Sequence, residues 1–206
     1  MALPPEIAAR YPKEIKLPDG RIATVRLMEP GDKQAILQFA RSLPEDDLLF
    51  LRTDITDPGV VDEWTKNLEQ GSTITLLAEM TNIETVLSEP SVRIKEVAAY
   101  ASIHMSSVRW TRKTGEIRIN TAPTYRAIGL GRRLAAEAFE VAKSVGLRKI
   151  AAQMTPDQAG ARAVFEKLGF QVEAVLADWV EDRRGQSRDL IMMTYDLHGF
   201  SDYVQA

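Results

Sequence analysis

The chain has 206 residues, 45% of them hydrophobic, and a formal net charge of -3. As one domain it buries about 70% of its unfolded surface and needs no staples; it has no cysteine, which excludes disulfides, thiol nucleophiles and cysteine-held metals and fits a reducing compartment. The acidic balance excludes a broad nucleic-acid-binding face, two distant histidines argue against a metal centre, and no signal peptide or apolar run of about 18 residues is present, so we expect a cytoplasmic protein without membrane, nucleic-acid or metal partners.

Residues 14–29 read as a hairpin around the turn Pro18-Asp19-Gly20, with Ile22, Val25 and Leu27 apolar on its second strand. A helix starting at Gly31 and Asp32 turns Ile36, Leu37, Phe39 and Ala40 inward and closes at Pro44. Val61, Trp64, Thr65 and Leu68 recur at spacings of three and four, which predicts a second helix over 60–70. In this region Glu45, Asp46, Asp47, Asp54, Asp57, Asp62 and Glu63 have only Arg52 as counter-charge. They form either a solvated helical face or a surface that attracts a cationic substrate. Residues 74–80 and 96–105 read as paired strands joined by a long polar surface loop over 81–95.

The next stretch carries the most information. Residues 116–121 alternate as a strand with Glu116, Arg118 and Asn120 on one face and Ile117, Ile119 and Thr121 on the other, and Pro123 stops it. Further on, Leu134, Ala138, Val141, Ala142 and Val145 recur at helical spacing, with Gly146 at the expected stop. The turn between strand and helix reads Arg126-Ala127-Ile128-Gly129-Leu130-Gly131. Two residues without a Cβ stand where the first helical N–H groups have no internal partner. Such a turn suits an anion, and the helix dipole alone favours one by roughly 0.3 to 2 kcal/mol. A strand over 148–154 completes a strand-helix-strand crossover of right-handed sense. Thr155-Pro156-Asp157-Gln158 then predicts a helix start, with Thr155 as N-cap and Gln158 closing a capping box, and Gly169 ends that helix. Strands over 170–180 and 189–196 form a closing hairpin. With no repeat or linker, 1–206 reads as one α+β domain whose mixed sheet is mostly antiparallel and has one parallel crossover late in the chain.

The anion turn does not fit the common nucleotide motifs: the third glycine of a dinucleotide fingerprint falls at Leu134, and no Gly-Lys-Ser/Thr is present. Pro123-x-Tyr125-Arg126-x-x-Gly129-x-Gly131, followed by a strand and a helix ending Phe165-Glu-Lys-Leu-Gly-Phe170, resembles the GNAT superfamily of acyl-CoA-dependent N-acyltransferases. The resemblance covers roughly 21–196 and implies a mixed, mostly antiparallel central sheet with helices on both faces. It also implies acetyl-CoA as co-substrate, with coenzyme A held by the amides of Arg126, Ala127, Ile128, Gly129, Leu130 and Gly131 and by Arg132. The family's splayed strand end, which bonds the pantetheine arm, maps onto Asn120, Thr121 and Ala122. Residues 25–50 are loosely similar to the acetyltransferase domain of bacterial protein-lysine acetyltransferases, which carries no substrate with it.

The implied reaction passes an acetyl group from acetyl-CoA to a primary amine on a small molecule or peptide. A glutamate near the start of this strand is often the family's general base, and Glu116 matches it; an ion pair of Glu116 with Arg118 or a cross-strand arginine is the competing reading. A backbone N–H near Thr121 or Ala122 is the natural donor to the thioester carbonyl. Two positions depart from the family: Phe165 stands where a tyrosine often protonates the leaving thiolate, and Gln158 where an asparagine often precedes it. Phe165 is therefore expected to pack against the core and the pantetheine. His104, Tyr100 and Asp178 are reserve candidates, and Trp64, Trp110 and Trp179 are expected in the core or in cleft walls. The missing tyrosine keeps open a non-catalytic acyl-CoA sensor, and a nucleotide-binding regulator is a third reading. The oligomeric state, a homodimer included, is not encoded in any pattern found.

Overall fold

The computed structural model describes residues 3–49, 51–84 and 92–198. The elements are α1 (Pro5–Ala8), β1 (Lys13–Lys16), β2 (Ile22–Leu27), α2 (Lys33–Ser42), α3 (Glu45–Leu49), α4 (Pro58–Glu69), β3 (Thr73–Glu84), β4 (Val92–Met105), β5 (Thr114–Thr121), α5 (Leu130–Ser144), β6 (Lys149–Met154), α6 (Ala159–Lys167), β7 (Gln171–Glu181) and β8 (Ser187–Asp196). One eight-stranded sheet runs β1-β2-β3-β4-β5-β6-β8-β7. Every neighbouring pair is antiparallel except β5 and β6.

Both faces of the middle strands are covered. On β4, residues 98–103 are all buried regardless of parity, as a strand between two helical layers must be. Tyr100 meets Phe39 of α2 and Trp64 of α4, with ring centroids 5.7 and 5.0 Å away. On the other face α5 lies across β3, β4 and β5. Its apolar stripe, Leu134, Ala135, Ala138, Val141 and Ala142, is the buried one, and Gly146 ends it at φ +80°.

Most expected elements appear close to their expected places, and three corrections have physical causes. The polar stretch over 81–95 is not all loop: β3 extends to Glu84 and β4 begins at Val92, with Thr81 opposite Lys95, while 85–91 lie outside the described residues. Strand pairing satisfies backbone groups whatever the side chains, so polarity alone misled. The helix expected at Thr155 starts at Ala159. Only half the capping box forms: Gln158 Oε1 accepts from the Thr155 N–H at 3.0 Å, and the Thr155 hydroxyl caps nothing. Finally, Trp110 is 94% exposed and belongs to neither core nor cleft, whereas Trp64 is buried and donates from Nε1 to Thr75 Oγ1 at 3.0 Å.

Trp64 thus ties α4 to β3 and backs Tyr100. Trp64→Ala is expected to lower unfolding free energy by roughly 3 to 5 kcal/mol through the cavity and the orphaned Thr75 hydroxyl. Urea denaturation measures this, and a loss below about 1 kcal/mol would place the tryptophan outside the load of the core.

Candidate active site

Strands β5 and β6 pair over only three positions, Thr114 with Lys149, Gly115 with Ile150 and Glu116 with Ala151. Beyond them β5 stays on β4 as far as Thr121, while β6 stays on β8 as far as Met154. The two strands separate and open a wedge in the sheet. A cavity of about 430 Å³ fills it. Its walls are β5 from Glu116 to Asn120, the end of β6 with Thr155, the first turns of α6 with Gln158 and Phe165, Arg52 after α3, and the β7–β8 hairpin with Trp179.

The polar face of β5 is turned to the α2/α4 side. Glu116 Oε1 accepts from Arg118 Nε at 2.8 Å, and Glu116 Oε2 is ion-paired with Arg52 Nη1. Arg52 Nη1 also donates to Gln153 Oε1 at 3.3 Å. The expected ion pair of Glu116 is therefore present, with a second arginine that strand patterning did not indicate. Asn120 Nδ2 donates to the Tyr100 hydroxyl at 2.9 Å, and burial pushes the Tyr100 phenol above its ordinary pKa, so it stays neutral. His104 is the cross-strand partner of Glu116 but lies outside the cavity walls. Its ring nitrogens meet Thr73 Oγ1 at 3.2 Å and Ser102 Oγ at 2.9 Å.

At the far end of β5 the chain makes a 3₁₀ turn, Pro123–Tyr125, before α5. Tyr125 is buried, and its hydroxyl is bonded to Glu96. The expected anion turn follows, with Ala127 at φ +61° and Gly129 at φ +84°. No side chain caps α5 and no acidic residue stands in its first turn, so the amides of Leu130, Gly131 and Arg132 end the helix without a side-chain acceptor among the described residues. A Cβ on Gly131 would sit 3.2 Å from Thr121 Oγ1, and one on Gly129 3.2 Å from Pro18. The turn is therefore tight as well as uncapped. Arg126 does not reach into the cavity: Nε donates to Thr121 O at 3.1 Å and the guanidinium pairs with Asp47. The Ala122 N–H donates to Ala98 O at 2.8 Å. Alternation along the strand then turns the Thr121 N–H to the open edge, so of the two expected carbonyl donors Thr121 is the one left.

The remaining expected residues divide by environment. Glu116, Asn120, Gln158 and Phe165 line one cavity, while Thr121, Ala122 and 126–132 lie past its end. Phe165 is buried and packs edge-on against Phe170 at 4.9 Å. Asp178 sits in the bulge of β7 at φ +51°, accepts from Ser187 Oγ, and does not line the cavity. The acidic segment is not short of counter-charge: Asp47 pairs with Arg126, Glu45 with Arg184, Asp54 with Arg183 and Asp62 with Lys33. Among the described residues no cluster of metal-ligating groups occurs, and no helix is long and apolar enough to cross a membrane.

Two site residues escaped sequence reasoning. Arg52 had seemed a partner for its own acidic neighbours, and nothing local signals a contact 64 positions away. Thr155 had seemed an N-cap, yet its hydroxyl is buried in the cavity wall with no partner among the described residues. That oxygen is open to a hydrogen bond from the cavity side. The uncapped amides, the tight glycine turn and the orphaned hydroxyl together fit a long ligand with an anionic head and a polar arm.

A model of the acetyltransferase (GNAT) family matches residues 63–170, just over half of the chain. No match was found among curated proteins. Among solved structures, the GNAT domain of S. lividans PAT superposes with a TM-score of 0.70 at 15% identity, covering 95% of this chain and 99% of that one. The Salmonella typhimurium protein yncA, solved with its cofactor acetyl-CoA, gives 0.68 at 21%, covering 87% and 96%. A spermidine N-acetyltransferase chimera from Vibrio cholerae and hSSAT gives 0.65 at 17%, covering 85% and 96%. At these identities the likeness is one of fold.

His104 yields a test of the site's electrostatics. Burial above all, with Arg118 adding to it and Glu116 opposing it, pushes its pKa down from 6.5 to about 4. Between those values the unfolded chain holds the extra proton, so the stability from a neutral His104 is complete above pH 6.5 and is lost as pH falls toward 4. Denaturant titrations at pH 7.5 and 4.5 are expected to show His104→Gln losing less stability over that interval than the unmodified chain, by up to roughly 3 kcal/mol. Equal losses would contradict a buried, neutral histidine.

Proposed function

Because the chain belongs to the acetyltransferase (GNAT) family, we propose that it moves the acetyl group of acetyl-CoA to a primary amine by direct attack, with Glu116 as general base. The observation that carries this reading is the wedge between β5 and β6, which runs from Glu116 toward the uncapped start of α5. Acetyl-CoA supplies the activated acetyl group as a thioester. The backbone amides of the 126–132 turn are suited to its diphosphate by the unpaired donors and the positive helix end. Asn120, Thr121 and Ala122 border its arm on one side, Gln158 and Phe165 on the other.

The amine must lose a proton as its nitrogen bonds to the acyl carbon and the carbon–sulfur bond breaks. Glu116 takes that proton, directly or through water, from the polar face of β5. We assign the polarisation of the acyl carbonyl to the open-edge Thr121 N–H. The thiolate leaves with a proton from water or another donor, since Phe165 has none to give. No cysteine is available for a thioester on the enzyme, which favours direct transfer. The absent hydroxyl at Phe165 also favours a second reading, an acyl-CoA-binding sensor without turnover.

Release of free thiol from acetyl-CoA across a panel of polyamines, amino acids, aminoglycosides and lysine peptides separates the two. The proposed enzyme turns over at least one amine, and Glu116→Gln lowers that rate roughly 10² to 10⁴-fold while acetyl-CoA affinity by calorimetry is nearly unchanged. An unaltered rate would reduce Glu116 to its ion pairs. Binding without turnover on any amine would favour the sensor.

A further inference from the structure

The charges around the cavity bear on the acceptor. Four carboxylates that looked able to draw in a cation, Glu45, Asp47, Asp54 and Asp62, each have a basic partner from another part of the fold. Immediately around Glu116 the balance is the reverse. Arg52 and Arg118 both converge on the single carboxylate of Glu116. Arg118 uses only Nε there, and its two Nη groups meet no acceptor among the described residues. Two guanidinium charges on one carboxylate leave one positive charge unmatched beside the proposed base. At the hairpin rim, Asp182 is satisfied by the amides of Arg184 and Gln186 and by Arg188. These contacts outweigh the burial that opposes its charge and keep its carboxyl below the usual range. Glu181, also in the wall, has no ion pair among the described residues.

We propose that the acceptor is an amine that itself carries a carboxylate, an amino acid or a small amino-acid-like molecule, whose carboxylate is bound by Arg52 and Arg118. This rests on the acetyl-transfer reading above and names its substrate class. A planar carboxylate matches the forked donors of two guanidiniums and brings the local charge to two against two. Arg52 is the more exposed of the pair, with its side chain 57% exposed against 25% for Arg118. As Arg52 turns to the incoming carboxylate, Glu116 gives up one of its two cations. Substrate binding thereby frees the base, and an amine with no carboxylate leaves it locked. The cavity of about 430 Å³ holds a small molecule, and Glu181 at the rim suits its ammonium on entry. A polyamine would instead set cations against Arg52 and Arg118.

The test uses amine pairs that differ only in the carboxylate: methionine against 3-(methylthio)propylamine, phenylalanine against 2-phenylethylamine, with spermidine as a further acceptor. The expected result is a kcat/KM roughly 10 to 100-fold higher for at least one amino acid than for its decarboxylated twin. In Arg52→Ala and Arg118→Ala that ratio falls toward one, mainly through KM for the amino acid. Calorimetry is expected to show amino-acid binding to the coenzyme A complex weakened in both variants and acetyl-CoA affinity retained. Equal or faster turnover of the carboxylate-free amines, or a ratio that survives both substitutions, overturns the substrate class and leaves acetyl transfer standing. Acetyl-CoA binding with no thiol released on any acceptor overturns the acetyl-transfer reading, and this inference with it.

Discussion

The structure depends on the parting of β5 and β6. Adjacent parallel strands ordinarily pair along their length, since each unpaired N–H or C=O in a buried place costs free energy. Here pairing stops after Glu116 and Ala151, although β5 continues along β4 as far as Thr121 and β6 along β8 as far as Met154. The open edge of β5 then faces a cavity instead of a strand. A backbone edge so exposed is a template for hydrogen bonding, and a ligand arm with amide groups is the natural occupant of such a template.

Charge is distributed around that wedge in two zones. At its far end stand the uncapped start of α5 and Arg132, with no acidic side chain in the first turn. Near Glu116, two guanidiniums share one carboxylate. The acidic α3 segment offsets little of this, because Glu45, Asp47 and Asp54 are spent on arginines from the α5 turn and the β7–β8 hairpin. Those ion pairs are partly exposed, so each contributes little to stability by itself. Their consequence is positional: they tie Glu45, Asp47 and Asp54, on either side of Arg52, to the α5 turn and the β7–β8 hairpin.

What the sequence disclosed follows from the range of the forces involved. The α5 stripe, the alternation on β5 and the glycine turn are local, and each appears in the fold where its periodicity put it. The β3–β4 extension was hidden because a strand pair can be polar on both faces and still satisfy its backbone. The start of α6 was misplaced because Thr155 remains at the end of β6, where its hydroxyl faces the wall and not the helix. Arg52 was assigned to its sequence neighbours, which is the default for any charge read locally, and its partner Glu116 stands 64 positions away on β5. Phe165 is buried as expected, since an aromatic at helical spacing with Leu168 needs only burial against the core to explain it.

The most direct measurement is amide hydrogen exchange with and without acetyl-CoA. If the diphosphate is held by the start of α5 and the arm lies along the open strand edge, protection rises at Gly129, Leu130, Gly131 and Arg132 and at Thr121. Amides already paired, such as Ala122 bonded to Ala98, change little. Acetyl-CoA that binds by calorimetry yet leaves both segments exchanging as before would contradict the account.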